Sequence, residues 1–123
     1  MANSVAEIYI ALASVNLLAQ VEFYSSVLSI SPHVQTSGYA EFRSLGLKLA
    51  IFMPNESYHS EFFPEGKVQS PMSFCLEVEA LTAAIAHLTT LGNPPPGDII
   101  HASHGKEIYA YDPDGNRLIL HQS

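Results

Sequence analysis

The stretch Asp112-Pro113-Asp114-Gly115-Asn116-Arg117-Leu118-Ile119-Leu120 joins a tight turn to an apolar strand. Pro113 restricts its own φ to about −65°, and Asp114-Gly115-Asn116 supplies side-chain caps and a residue that tolerates a positive φ. The residues before it, Glu107 to Tyr111, also alternate as a strand does. The sequence therefore predicts a hairpin that enters a last strand. Taken alone, a turn of this kind is most often structural and implies no function.

The composition is that of one folded domain. The chain has 123 residues, of which 47% are hydrophobic and 14% charged, so there is ample material for a core. Its apolar runs fall short of the about 20 residues that span a bilayer, and no basic segment precedes an apolar one at the N-terminus. We expect a cytoplasmic protein that does not enter membranes.

Charge and cysteine content narrow the classes of partner. Five basic and twelve acidic residues give a net charge of −7, which disfavours nucleic acids and anionic membranes. The single cysteine, Cys75, can form neither an internal disulfide nor a thiolate zinc cage. These observations favour a small-molecule ligand in a reducing compartment.

The apolar periodicity switches between about two and 3.6 residues in the same order in both halves of the chain. In the first half it predicts a strand over 8–12, a helix over 17–28 and strands over 33–36, 39–45 and 47–53. Asn16 is expected to cap the helix, with an apolar stripe formed by Leu17, Leu18, Val21, Tyr24 and Leu28. In the second half it predicts a strand over 73–78, a helix over 81–91 and strands over 99–102, 106–111 and 117–122. The predicted fold class is α+β, with the order β-α-β-β-β occurring twice.

Three segments of this pattern resemble the vicinal-oxygen-chelate superfamily, which includes the glyoxalase, bleomycin-resistance and extradiol dioxygenase-like proteins. They are Val21 to Leu28, Leu76-Glu77-Val78 and the turn Asp112 to Asn116. The resemblance implies a single glyoxalase-like domain over 1–123, with module one at about 5–54, a linker at about 55–70 and module two at about 71–123. The sheets of the two modules would curl into a half-barrel that has helices on its convex face and a cavity on its concave face.

In metal-dependent members of the family, four residues point into that cavity, one from the first and one from the last strand of each module. The resemblance places these positions at Tyr9, Ala50, Ser73 and Ile119. Alanine and isoleucine carry no donor atom, and divalent ions in such sites need oxygen or imidazole ligands. We therefore predict no metal, no cofactor and no assigned catalytic residue.

Strand alternation predicts which side chains share the cavity face with Ile119. The candidate ligand-binding residues are Tyr9, Phe52, Ser73, Glu77, Arg117, Ile119 and His121. A mostly apolar lining with a few polar groups suits an aromatic, hydrophobic or cationic ligand. The alternative is that these side chains only fill the interior, with Glu77 and Arg117 at a solvated rim.

Among the histidines, only His121 has a positional argument, because it lies two residues beyond Ile119 on the same face. As a general base it would need an orienting neighbour, and the sequence names none. The pair His101 and His104 is spaced to lie on opposite faces of a strand, which disfavours a metal site there. Cys75 has no flanking base and is expected to be an inert thiol.

The linker gathers Tyr58, Phe62 and Phe63 with two glutamates and His59. In the family this segment often covers the cavity or forms a dimer contact. The alternative, which we favour slightly, is that its aromatic side chains anchor it to the core.

These sequence features are compatible with three alternative functions. The first is a metal-independent protein of the glyoxalase/bleomycin-resistance type that binds a small ligand in the concave cavity. The second is a metal-dependent lyase, isomerase or dioxygenase of the glyoxalase type with atypical ligands, and the third is a dimeric partner-binding or regulatory protein without a ligand. The sequence leaves both binding and catalysis open, and we expect a homodimer.

Overall fold

The computed structural model of the protein describes residues 4–64 and 70–123. The chain divides into two compact units, residues 1–65 and 66–123, each built around a four-stranded mixed sheet. The predicted α+β class and the two β-α-β-β-β modules are confirmed. Residues 65–69 of the predicted linker lie outside the described residues.

Module one contains strand β1, helix α1 and three further strands. They are β1 (Ile10–Ala13), α1 (Leu17–Leu28), β2 (Val34–Gln35), β3 (Tyr39–Ser44) and β4 (Leu47–Phe52). The strand order is β1-β4-β3-β2, in which β1 runs parallel to β4 and the other pairs are antiparallel. β1 begins at Ile10, so the prediction that Ile8 belongs to it was wrong, and the Ile8 side chain is exposed.

The core of module one lies between α1 and one face of β3 and β4. Ala40, Phe42 and Ile51 are buried on that face because alternate strand residues point the same way. The predicted helix stripe was wrong at Leu18, which is 70% exposed, and Gln20 is buried instead. Leu18 is turned about 100° round the helix from buried Leu17, away from the sheet.

Asn16 occupies the position before α1, but the predicted side-chain cap is absent. Its backbone N–H instead donates to Ser14 Oγ at 2.9 Å. The backbone of Asn16 has a φ of −131° and a ψ of 57°, which are not helical values, so the helix begins at the next residue.

The described part of the linker begins with a 3-10 turn, Glu56–Tyr58, followed by the short helix α2 (His59–Phe62). Phe62 meets Phe52 of β4 edge to face, with ring centroids 5.2 Å apart. Phe52 lies on the face of β4 opposite buried Ile51, so this contact holds Phe62 on the sheet face away from the α1 core, and the anchoring of the linker to the core stays a prediction.

Module two repeats the arrangement of module one. Its elements are β5 (Phe74–Glu77), α3 (Leu81–Thr90), β6 (Ile100–Ala102), β7 (Gly105–Tyr111) and β8 (Arg117–Gln122). The order is β5-β8-β7-β6, with β5 parallel to β8. α3 begins where the backbone N–H of Leu81 donates to the Gln122 side chain at 2.7 Å.

The hairpin between β7 and β8 is organised by Asp112, whose side chain is buried. Its Oδ1 accepts the backbone N–H groups of Asp114 at 3.0 Å and Asn116 at 2.9 Å, and its Oδ2 accepts from Asn116 Nδ2 at 2.8 Å. Gly115 takes a φ of +90°, as the turn requires. The predicted turn is therefore confirmed.

Within the described residues, every helix is too short or too polar to cross a bilayer.

Candidate functional site

The two faces of the sheet in module two differ sharply. Leu118 and Leu120 are buried on the face toward α3. The opposite face carries Ile119 at its centre, with Cys75 beside it on β5 and Tyr109 beside it on β7. Cys75 and Tyr109 are exposed, so this row offers an accessible apolar surface. We call this side of the sheet the open face of module two.

At one end of the open face, β5, β8 and β7 place Glu77, His121 and Glu107 in one row. Glu77 Oε1 lies 2.6 Å from His121 Nδ1. Glu77 Oε2 accepts hydrogen bonds from the backbone N–H and the hydroxyl of Ser123, each at 2.9 Å. The hydrogen bond with His121, and after it those from Ser123, lower the pKa of Glu77, so the group is a carboxylate at neutral pH.

The sequence named no partner for His121, and the structure provides one in Glu77. Because an ionised carboxylate only accepts hydrogen bonds, the hydrogen must lie on Nδ1 of the imidazole. In the neutral ring, Nε2 then carries the free lone pair. This atom is buried and has no hydrogen-bond partner among the described residues.

His104 covers this end of the face from the turn between β6 and β7. Its ring stacks on that of His121, with centroids 5.0 Å apart and planes inclined by 13°, and its Nε2 is 3.6 Å from Glu107 Oε1. One ligand atom from each of His104, Glu107 and His121 lies within 4.8 Å of the other two. His101 pairs with Lys106 in the register and lies on the other side of the hairpin, as predicted.

The opposite end of the open face is basic. Arg117 Nε donates to Ser73 Oγ at 2.7 Å, and its Nη2 donates to the carbonyl oxygen of Ser70 at 2.7 Å. The predicted residues Ser73 and Arg117 thus contact each other, as Glu77 and His121 do, with Ile119 between the two pairs.

The other predicted site residues, Tyr9 and Phe52, belong to module one. Lys48 Nζ lies 4.0 Å from the centroid of the Tyr9 ring, and Phe52 packs on Phe62. Lys48 and Phe52 point to the same face of β4 because they are four residues apart. Tyr9 and Phe52 therefore lie toward opposite ends of that face.

Between them is a charged group that the sequence reasoning missed. Glu41 is only 6% exposed and accepts hydrogen bonds from Tyr39 Oη at 2.9 Å and Arg43 Nε at 2.8 Å, with Lys48 Nζ 3.5 Å away. Burial alone would raise the pKa of Glu41, but these three partners outweigh it and hold the pKa below its usual value. The alternation Tyr39-Glu41-Arg43 along one strand face was the available signal.

The four family positions do not fit a metal ion. Ala50 and Ile119 carry no donor atom, so neither sheet offers a ligand at its last-strand position. At the first-strand positions, the Ser73 hydroxyl already accepts from Arg117 and the Tyr9 ring lies against Lys48.

His104 and Glu107 are the residues near the open face that the sequence reasoning did not select. His104 lies in the turn before β7 and Glu107 lies in β7, whereas His121 lies in β8, more than a dozen residues later in the chain. The only local signal was the three-residue spacing of His104 and Glu107.

The sequence and fold were compared with known proteins. Residues 8–120 match the family model described as Glyoxalase/Bleomycin resistance protein/Dioxygenase superfamily. No curated protein matches the chain. Three solved structures of similar fold share no more than 20% identity with the chain, so they bear on the fold alone.

A glyoxalase-related enzyme from Fulvimarina pelagi has a TM-score of 0.74 at 18% identity, covering 97% of this chain and 89% of its own. The fosfomycin resistance protein FosX from Mesorhizobium loti has a TM-score of 0.71 at 16% identity, covering 100% and 94%. A glyoxalase/bleomycin resistance protein/dioxygenase from Nocardioides has a TM-score of 0.72 at 20% identity, covering 98% and 85%. With the family model matching most of its length, the chain belongs to the glyoxalase/bleomycin resistance protein/dioxygenase superfamily.

Proposed function

We propose that this protein binds an aromatic, hydrophobic or cationic small molecule on the open face of module two, and that binding needs no metal ion. The observation that supports the proposal is the row formed by Cys75, Ile119 and Tyr109, an accessible apolar surface where the family would have a chelating residue. An apolar surface with a few polar groups at its edges is the usual construction of a small-molecule site.

The two ends of the open face set the polarity of the proposed ligand. Glu77 and Glu107 would attract a positively charged group, which also agrees with the net charge of −7. Arg117 would attract a carboxylate or another acceptor at the far end. Within module one, the family resemblance selects Tyr9 and Phe52 as further candidate ligand-binding residues.

The test is a thermal-shift screen with a strong chelator present, using aromatic cations, aromatic anions and neutral aliphatic compounds. A ligand at one hundred times its dissociation constant should stabilise the protein by about 2.7 kcal/mol. Tyr109→Ala should abolish the shift, because it removes part of the apolar row. Leu18→Ala, which truncates an exposed side chain of α1, is the matched control.

A shift that appears only when divalent metal is restored would contradict metal-independent binding. The absence of any shift across the panel would favour the partner-binding alternative instead.

A metal-dependent lyase, isomerase or dioxygenase with atypical ligands is the second candidate. The observation in its favour is the close approach of His104, Glu107 and His121. It predicts turnover of a substrate that stops when the metal is removed and returns when the metal is restored.

We also propose that the protein is a cytoplasmic homodimer, because a single cysteine fits a reducing compartment and two modules in one chain can pair with those of a second copy. Light scattering coupled to size-exclusion chromatography tests the assembly. A mass near 13.4 kDa, that of one chain, would contradict a dimer.

A further inference from the structure

We infer that His104, Glu107 and His121 form a binding site for a divalent first-row transition ion such as Zn²⁺ or Co²⁺, located at one end of the open face of module two. None of the three occupies a position at which the family resemblance places a metal ligand. The inference goes beyond the proposed ligand binding, which needs no ion.

The donor set and its spacing suit such an ion. Two imidazoles and one carboxylate are typical ligands of zinc and related ions, and they leave coordination positions for water or another molecule. Metal–ligand bonds of about 2.0–2.2 Å place tetrahedral ligand atoms roughly 3.4 Å apart. The 3.6 Å separation of His104 Nε2 and Glu107 Oε1 is close to that value, and the third group is within 4.8 Å.

His121 is already oriented as a metal-bound histidine would be. Its Nδ1–H donates to Glu77, so the buried Nε2 has a lone pair and, among the described residues, no donor to satisfy it. Metal-ligating histidines commonly hold their other ring nitrogen on a carboxylate in this way, which fixes the ring and strengthens the ligand. Glu77 is thus a positioning residue, itself held by Ser123.

Gly105 allows the hairpin backbone to approach the ring of His121 closely. A Cβ atom at this residue would lie 3.1 Å from His121 Nε2, so any side chain there would crowd the ring. His104 can adjust to an ion, because its side chain is 65% exposed and its ring can turn to direct Nε2 at the ion.

The experiment is a titration of the metal-free protein with Zn²⁺ followed by calorimetry, and with Co²⁺ followed by its visible absorption. We expect one ion per chain and a Co²⁺ spectrum that reports nitrogen and oxygen ligands in a site of low symmetry. His104→Ala and Glu107→Gln should each weaken binding at least about tenfold, and Glu77→Gln should weaken it by about 10–100-fold. His101→Ala is the matched control, because His101 lies on the same hairpin but on its other face.

Failure to bind Zn²⁺ or Co²⁺, or equal affinities for His101→Ala and His104→Ala, would overturn the inference. Circular dichroism confirms that each variant is folded before the titration. The proposed function fails separately, because it is tested with the chelator present and with Tyr109→Ala. His104→Ala should leave ligand binding under chelator unchanged.

Discussion

Glu77 and His121 lie side by side on the parallel strands β5 and β8, and Glu77 Oε1 is 2.6 Å from His121 Nδ1. The pair joins residues 44 positions apart in the sequence. It converts a histidine with no sequence-identified partner into an imidazole that is oriented by a carboxylate on Nδ1.

Removing the carboxylate should change the tautomer of His121. In the unmodified protein we expect the hydrogen on Nδ1, because Glu77 accepts it. In Glu77→Ala the neutral ring should shift toward the Nε2–H form, which free imidazole side chains prefer. Nitrogen-15 NMR of the metal-free protein distinguishes the two tautomers, and Glu79→Ala, which removes a neighbouring exposed carboxylate, is the control. An Nε2–H tautomer in the unmodified protein would contradict the assignment.

The stability of the protein should depend on pH through the carboxyl group of Glu41. Its pKa is lowered in the folded protein, so its contribution to stability is present above the unfolded value, near 4.5, and is lost as the pH falls through the folded value. Glu41→Gln should therefore be less stable than the unmodified protein near neutral pH. The difference should shrink below about pH 4.5, where the unfolded carboxylate also becomes protonated. Urea unfolding at a series of pH values measures this, and a constant difference would contradict it.

The hairpin should lose stability without Asp112. The carboxylate satisfies two backbone N–H groups and the Asn116 amide, so Asp112→Ala leaves these part-buried donors without their acceptor. We expect a loss of about 1–3 kcal/mol in the free energy of unfolding. Asp98→Ala, which removes an exposed carboxylate before β6, should change it by less than about 0.5 kcal/mol. Equal effects of the two substitutions would show that the turn does not depend on Asp112.

Two neighbours on β8 should respond differently to truncation. Leu118 is fully buried on the face toward α3, so Leu118→Ala should cost about 2–5 kcal/mol in the free energy of unfolding. Ile119 points to the open face and is only partly buried, so Ile119→Ala should cost clearly less. Denaturant unfolding of both variants tests the register of the strand. A larger loss for Ile119→Ala would mean that the two faces have been exchanged.

Gly105 should not tolerate a side chain. Its φ is +135°, and a Cβ atom would lie 2.2 Å from the carbonyl oxygen of Gln122. Gly105→Ala should therefore destabilise module two strongly, because the obstacle is backbone and cannot rotate away. Gly97→Ala is the matched control, since nothing lies within 4 Å of a Cβ there and its φ is unstrained. A similar melting temperature for both variants would contradict the close approach.

Much of the fold was predictable because its signals are local. The period of two along Arg117 to Gln122 assigned Leu118 to the core and Ile119 to the open face, and the turn Asp112 to Asn116 located the hairpin. Errors occurred where packing selects among nearby apolar residues. Leu18 is exposed and Gln20 is buried because the packing of the sheet decides which side of α1 faces it.

The candidate site was predictable only in part. Alternation placed Glu77, Arg117 and His121 on one face, but it could not show that Glu77 holds His121 or that Arg117 holds Ser73. It also passed over Glu41, because the alternation Tyr39-Glu41-Arg43 indicates only a shared strand face and not that Glu41 is buried with three partners.

The sequence by itself determined the family, the order of the elements and the absence of donor atoms at Ala50 and Ile119, since these follow from residue identity and backbone periodicity. Only the tertiary structure decided the pairing of Glu77 with His121 and the stacking of His104 on it. The physical reason is that the register between distant strands is set by the packing of the whole core, whereas the face to which a residue points is set by its own backbone.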